Sequence, residues 1–349
     1  MKSLKQFSLN LTEEEYHNLP VWSYSIIANY ARNGFPSLAT LHQKTEPTPA
    51  MKFGSLFDRI VTGEGMAKDE YAVCNIAVPE SEKKMLDCLS AITGNKPYHL
   101  LSDEDFKLAQ ETSGYQPRWG LKAVKEHIDP YVAYYELKVS GKEIVSSSDW
   151  NDAIEMASAI YNNEYLKDIF GENISDDIEY VYQAQFKKNI CIDEEAMLFA
   201  DVKIMPDLMV VNHNQKTIQP VDLKSSSMPG YQFAEHFVKM RYDLQAQTYV
   251  DVLQEVINDI PEYKDYLILP YLFVDISRAD KVPVAFEYDP RSESQINGLT
   301  LGTERQYTYK NWKQLLLEII GYEETEAVVP SYITTAGPNN LLDILNYQK

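Results

Sequence analysis

Cysteine is scarce in this chain of 349 residues: Cys74, Cys88 and Cys191 are widely separated and form no C-x-x-C pair. A disulfide framework is excluded, and buried free thiols are expected. The histidines, 6 in all, are equally dispersed and offer no zinc spacing. No run approaches the roughly 18 apolar residues of a membrane span. Residues 1–10 hold two lysines but no apolar core or small-residue cleavage site, so no signal peptide is read and the expected setting is cytoplasmic. The chain also lacks a G-x-x-x-x-G-K-[ST] phosphate loop, a dinucleotide fingerprint and a G-x-S-x-G elbow. An ATPase motor, a Rossmann dehydrogenase and an α/β-hydrolase are therefore set aside, and there is no internal repeat or low-complexity tract. Positive charge is short too: 32 Lys and Arg face 52 Asp and Glu, a net charge of −20.

What is present suits a folded α/β protein. At 44% hydrophobic and 24% charged the composition can build a core. One domain over residues 1–349 is expected, its core at about 20–60 and 175–290, with a helical insertion at about 68–166 and a helix and tail at 291–349. Thr12-Glu13-Glu14-Glu15 reads as a capping-box helix start, and Ser23 opens a second helix. Residues 81–93, 119–127 and 150–165 read as helices, and 131–145 as two short strands around Ser140-Gly141. Later, 266–276 and 282–288 read as strands, 292–320 as one helix, and 341–345 as a short terminal helix.

The chemistry concentrates in residues 199–227, FADVKIMPDLMVVNHNQKTIQPVDLKSSS. Two β-branched runs flank the polar turn Asn212-His213-Asn214-Gln215, so the stretch reads as a β-hairpin. Side chains two apart on a strand share a face. Asp222 and Lys224 therefore point the same way, and Asp207, at the mouth of the facing strand, can lie beside them. Carboxylates next to a lysine suit metal-assisted phosphodiester hydrolysis. Mg²⁺ takes one or two carboxylates with water and phosphate completing its shell, and a lysine can position the attacking water or offset charge in the transition state.

This P-D followed 15 positions later by D-x-K resembles the core of the PD-(D/E)XK nuclease superfamily. Asp207 and Asp222 then stand in the metal-ligand positions and Lys224 in the lysine position. The following segment, read as one helix over about 230–256, carries Gln245 and Tyr249 four apart on one face. It resembles the Q-x-x-x-Y helix of RecB-type and RecE-type exonucleases. Residues 178–186 read as a strand opened by Glu179, which is similar to the family's further acid. MKFGSLFDRIVTG, from Met51, resembles the G-[ST]-x-x-H helix, with Asp58 where the family has a histidine. The stretch W-S-Y-S-I-I-A-N-Y-A-R resembles the helix that shapes the mouth of the site.

The resemblance covers about residues 20–290 in motif order. It implies a mixed central sheet built from the Glu179, Asp207 and Asp222 strands, flanked by the Asp58 and Gln245 helices. It further implies a RecE-like or lambda-type phage exonuclease that resects duplex DNA ends for a single-strand annealing recombinase. In that reading Mg²⁺ or Mn²⁺ is held by Asp207, Asp222, Glu179 and Asp58, with Gln245 and Tyr249 in support, and the protein is a homo-oligomer. Three cysteines cannot supply the four-cysteine iron–sulfur cluster of some RecB-like nucleases. An endonuclease on the same core remains an alternative, as does a non-catalytic acidic or DNA-mimicking protein. Between residues 181 and 245 seven basic residues (Lys187, Lys188, Lys203, Lys216, Lys224, Lys239, Arg241) meet eight acids, a net −1 that leaves −19 for the rest. A local basic face for the substrate is the expectation drawn from that split.

Overall fold

A computed structural model describes residues 2–43, 46–63, 67–170, 175–302 and 306–325. In chain order the elements begin with α1 (Glu13–Asn18), β1 (Trp22–Ser23), α2 (Tyr24–Asn33), α3 (Pro49–Thr62), α4 (Ala67–Glu70) and β2 (Tyr71–Val73). Then come α5 (Glu80–Thr93), α6 (Asp103–Ser113), α7 (Leu121–Ile128), α8 (Val132–Val139), β3 (Glu143–Val145) and α9 (Ser147–Tyr161). The strands β4 (Ile178–Tyr182), β5 (Phe186–Asp193), β6 (Leu198–Ile204), β7 (Leu208–Asn212) and β8 (Thr217–Ser226) lead to α10 (Phe233–Met240) and α11 (Tyr242–Asn258). The described chain closes with β9 (Leu267–Ile268), β10 (Tyr271–Ser277), β11 (Pro283–Tyr288), β12 (Thr300–Leu301), β13 (Tyr307–Thr308) and α12 (Trp312–Glu324). The expected terminal helix at 341–345 lies outside the described residues. Among those described, no helix is long and apolar enough to cross a membrane.

The chain separates into two compact units, residues 1–48 with 159–349, and residues 49–158. The second unit takes in most of the helical insertion expected at about 68–166, begins earlier, at Pro49, and includes the Asp58 helix. The second unit gathers Met85, Leu86, Leu89, Phe106, Val124 and Tyr135 into its own helical core. Residues 131–139, expected as a strand, belong to that core as α8. The pair Tyr134 and Tyr135 is buried there, and the wide apolar face of VAYYELKV serves helix packing better than alternation.

The first unit is built on a mixed sheet of order β11-β10-β8-β7-β4, with β9 also paired to β8. Strands β4, β7 and β8 run antiparallel in turn, β10 lies parallel to β8, and β11 is antiparallel to β10. The strands of Glu179, Asp207 and Asp222 thus stand side by side in a mixed sheet. Every residue of β10 is buried, as a strand covered on both faces requires. Pro220, inside β8, sits in the gap after β9 ends at the Ile218 pairing and before β10 begins at Val221, where a missing N–H is tolerated. Pro270 makes the corresponding break on the other side, so the expected strand at 266–276 is two.

A second sheet, β1-β6-β5, shares the same core. The expected strand at 178–186 is divided between the two sheets by Gln183, whose φ of +46° turns the chain. Helix α11 packs against α2, β5 and β6 and buries Val250, Leu253, Val256 and Ile257, each worth about 1.5–3 kcal/mol on transfer from water. The expected helix over 230–256 breaks at Arg241, held at φ +59°. The expected helix over 292–320 starts only at Trp312, behind an Asn311 capping box. Before it, Gly298 at φ +126° lets the Tyr309 carbonyl approach where any Cβ would collide.

Candidate active site on the β7–β8 hairpin

The hairpin register fixes the acids. Leu208 pairs with Val221, and one further step along the same antiparallel register sets Asp207 opposite Asp222. Opposed residues share a face. The Asp207 carboxylate reaches across, its Oδ2 accepting from the Leu223 amide at 2.8 Å. On the same face of β8 the Lys224 ammonium stands 2.5 Å from Asp222 Oδ2.

Helix α11 closes the arrangement. The Gln245 amide donates to Asp222 Oδ1, and its carbonyl accepts from Lys224 Nζ at 3.0 Å. One side chain thereby fixes both members of the pair. Tyr242, one turn earlier on that helix, lays its ring 4.5 Å from the Lys224 ammonium. One turn later Tyr249 meets Tyr271 edge-on, with ring centroids 6.0 Å apart. The Asp222 side chain is only 4% exposed and that of Lys224 18%, so solvent reaches the pair through the lysine.

Burial alone would lower the Lys224 ammonium, but Asp222, then Tyr242, Tyr24 and Asp207, hold it above its ordinary value. Burial raises the Tyr249 and Tyr271 hydroxyls well above theirs, and both feel the negative charge of Asp222 and Asp207. Tyr24, at the start of the predicted mouth helix α2, is raised by burial and lies in the fields of Lys224 and Asp222. The structure therefore brings together Asp207, Asp222, Lys224, Gln245 and Tyr249. Sequence reasoning missed Tyr24, Tyr242 and Tyr271. For Tyr242 a signal existed, since it lies three residues before Gln245 on one helix face.

Glu179 is not with them. It pairs with Val211, three residues and about 10 Å along β4 from the Tyr182–Leu208 pair beside Asp207. There it receives Ser3 Oγ, the Leu4 amide at 3.5 Å, His213 Nε2 at 3.3 Å and Tyr263 Oη at 3.3 Å. As a ligand shared with Asp207 and Asp222 it is corrected: its carboxylate anchors the N-terminal segment. Asp58 lies on α3 of the second unit, where its carbonyl accepts from Thr62 Oγ1 at 2.8 Å. The cluster above is built wholly from the first unit, to which Asp58 does not belong.

The expected basic face also dissolves. Lys187 pairs with Asp201 at 2.8 Å, Lys188 with Asp259, and Lys216 with Asp265 at 3.8 Å. Lys203 is buried, donating to the Tyr16, His17 and Leu19 carbonyls at 2.6, 3.1 and 3.2 Å. Arg241 is buried against Asp243. With Lys224 on Asp222, only exposed Lys239 of the seven has no such partner among the described residues.

Among the described residues no group of three or more His, Cys, Asp or Glu side chains stands together to hold a metal ion. The hairpin offers two. Hard, opposed carboxylates in that number fit a Mg²⁺ or Mn²⁺ completed by water and phosphate. Among the described residues Asp222 Oδ2 is buried and accepts no hydrogen bond of good geometry, only the ammonium contact. The place a cation would take at that oxygen is occupied by the Lys224 ammonium.

No family model matches this chain, and no curated protein does. A solved structure titled "Crystal structure of SSO0001" aligns over 83% of this chain and 98% of its own at 8% identity, with a TM-score of 0.25. A likeness that slight carries no argument.

Proposed function

We infer that this protein is a Mg²⁺- or Mn²⁺-dependent deoxyribonuclease that hydrolyses phosphodiester bonds at the ends of linear duplex DNA. The observation that carries the reading is the bridge made by Gln245, which ties Asp222 to Lys224 from a helix more than twenty positions away. A chance surface hairpin has no need of it. Asp207 and Asp222 would hold the ion, whose part is to stabilise the attacking and leaving oxygens. Lys224, kept a cation by its neighbours, orients water and offsets charge gathering on the phosphate. Gln245 and Tyr242 set the direction of the ammonium, and Tyr24, Tyr249 and Tyr271 keep bulk water from the acids. Resection that feeds a recombinase, and assembly as a homo-oligomer, belong to the same reading.

A second reading has its own observation. Asp222 is closed by Lys224 and Gln245, and six of the seven basic residues between positions 181 and 245 are engaged, as suits a non-catalytic acidic protein on this framework. One experiment separates them. End-labelled linear duplex and closed circular DNA are incubated with wild type, Asp207→Ala and Lys224→Ala, with Mg²⁺, Mn²⁺ or chelator. Metal-dependent loss of the linear substrate by wild type alone, with circles intact, is expected. Cut circles mean an endonuclease. Equal behaviour of all three proteins, with and without chelator, removes the nuclease assignment.

A further inference from the structure

Lys224 has a carboxylate on each side. Asp222 lies two residues back on its own strand. Asp275, on β10, is paired in register with Lys224 itself. Neighbours paired this way project to one face, with strands about 5 Å apart, well within the reach of a lysine stem. Asp275 is 1% exposed, and its Oδ1 has no hydrogen-bond partner among the described residues. Burial pushes its carboxyl up to about 6, against the pull of Ser226 and Lys224. His236 lines the same narrow crevice as Asp275 and Ser226, and its Nδ1 is likewise buried without a partner. An acid kept inside a protein with an unmet oxygen is costly, and the chemistry proposed above makes no use of it.

The need arises at the other acid. A divalent cation approaching Asp222 Oδ2 meets an ammonium already 2.5 Å from that oxygen. Like charges cannot share the seat, and an ammonium stranded in a buried setting without a carboxylate is strongly disfavoured. We propose that Asp275 is the second seat of Lys224, a positioning residue that receives the ammonium when Asp207 and Asp222 take a divalent cation. The inference rests on the metal-dependent reading above. It adds a residue and a movement: Lys224 is the exchangeable plug of the ion site, and β10 supplies its parking place.

The test is Mn²⁺ titration by calorimetry on the full chain without DNA, for wild type, Asp275→Asn, Lys224→Ala and the double variant. Asp275→Asn should weaken Mn²⁺ binding about tenfold, the scale of supporting residues at metal sites. Lys224→Ala should bind Mn²⁺ at least as tightly as wild type, and adding Asp275→Asn to it should change nothing. Unchanged affinity in Asp275→Asn overturns the proposal, as does an equal loss in both backgrounds, which would mean simple removal of negative charge. A wild type that binds no Mn²⁺ sinks the metal reading and this proposal together, whereas binding indifferent to Asp275 sinks this one alone. Asp275→Ser, read in the same way, stands in if the asparagine variant does not fold.

Discussion

Arg241 grips Asp243 through two hydrogen bonds, of 2.9 and 3.0 Å, where both side chains are buried. The guanidinium also donates to the Lys310 carbonyl at 2.7 Å, tying the start of α11 to the segment before α12. Its charge is spent inside the fold. Burial already raises the Asp243 carboxyl, with Arg241 opposing the rise. Arg241→Ala therefore strands a buried carboxylate and should cost about 3–5 kcal/mol. Chemical denaturation measures this, and replacing both residues by apolar ones of similar volume should recover most of the loss. A surface-like loss below 1 kcal/mol would show that the pair is not structural.

Gln245→Ala removes the side chain that hydrogen-bonds both Asp222 and Lys224. Cleavage of linear duplex and Mn²⁺ affinity should each fall about 10- to 100-fold, as when a supporting contact at a metal site is lost. The fold should hold, because α11 keeps its apolar packing. Full activity in a folded Gln245→Ala protein would leave the bridge without a catalytic part.

Asp275 predicts a pH signature. Its carboxyl is raised from 3.8 to about 6, so the folded state holds a proton that the unfolded state has released. Stability from this group is thus complete below pH 3.8 and is lost as pH rises through 6. At ~1.4 kcal/mol per unit the swing is about 3 kcal/mol. The stability of Asp275→Asn relative to wild type should therefore improve as pH rises from 4 to 7, as read from urea midpoints. A difference that is flat across that window would contradict the buried, raised carboxyl.

Glu179→Gln should leave Mn²⁺ affinity and cleavage unchanged, since its partners are Ser3, Leu4, His213 and Tyr263. What should change is the N-terminal segment. The Leu4 amide, whose side chain is buried in the core, should exchange its hydrogen several-fold faster. Loss of metal binding in this variant would return Glu179 to the ligand set.

The hairpin was legible because alternating apolar runs and a polar turn fix register, and register alone puts Asp207 opposite Asp222. Gln245 was legible from its spacing to Tyr249. The lone acid of YLFVDIS was a missed signal: within an apolar run that becomes a strand buried on both faces, Asp275 had to be in the interior. Glu179 misled because alternation gives a strand but not how far along it the neighbouring acids lie. The basic face misled because charge counts ignore pairing: Lys203 and Arg241 are consumed by carbonyls and Asp243 from distant elements. The breaks at Gln183 and Arg241 depend on positive φ at residues that carry no glycine signal.

Ser3 meets Glu179 across 176 positions, and Lys203 closes on the Tyr16 carbonyl across 187. Between them in sequence lies the whole of the second unit, residues 49–158. A growing chain must therefore leave its first turns unseated while an independent helical body is made. Contacts at such separation are slow to form, so the first unit should set late and all at once, when β4 and β6 arrive to receive them.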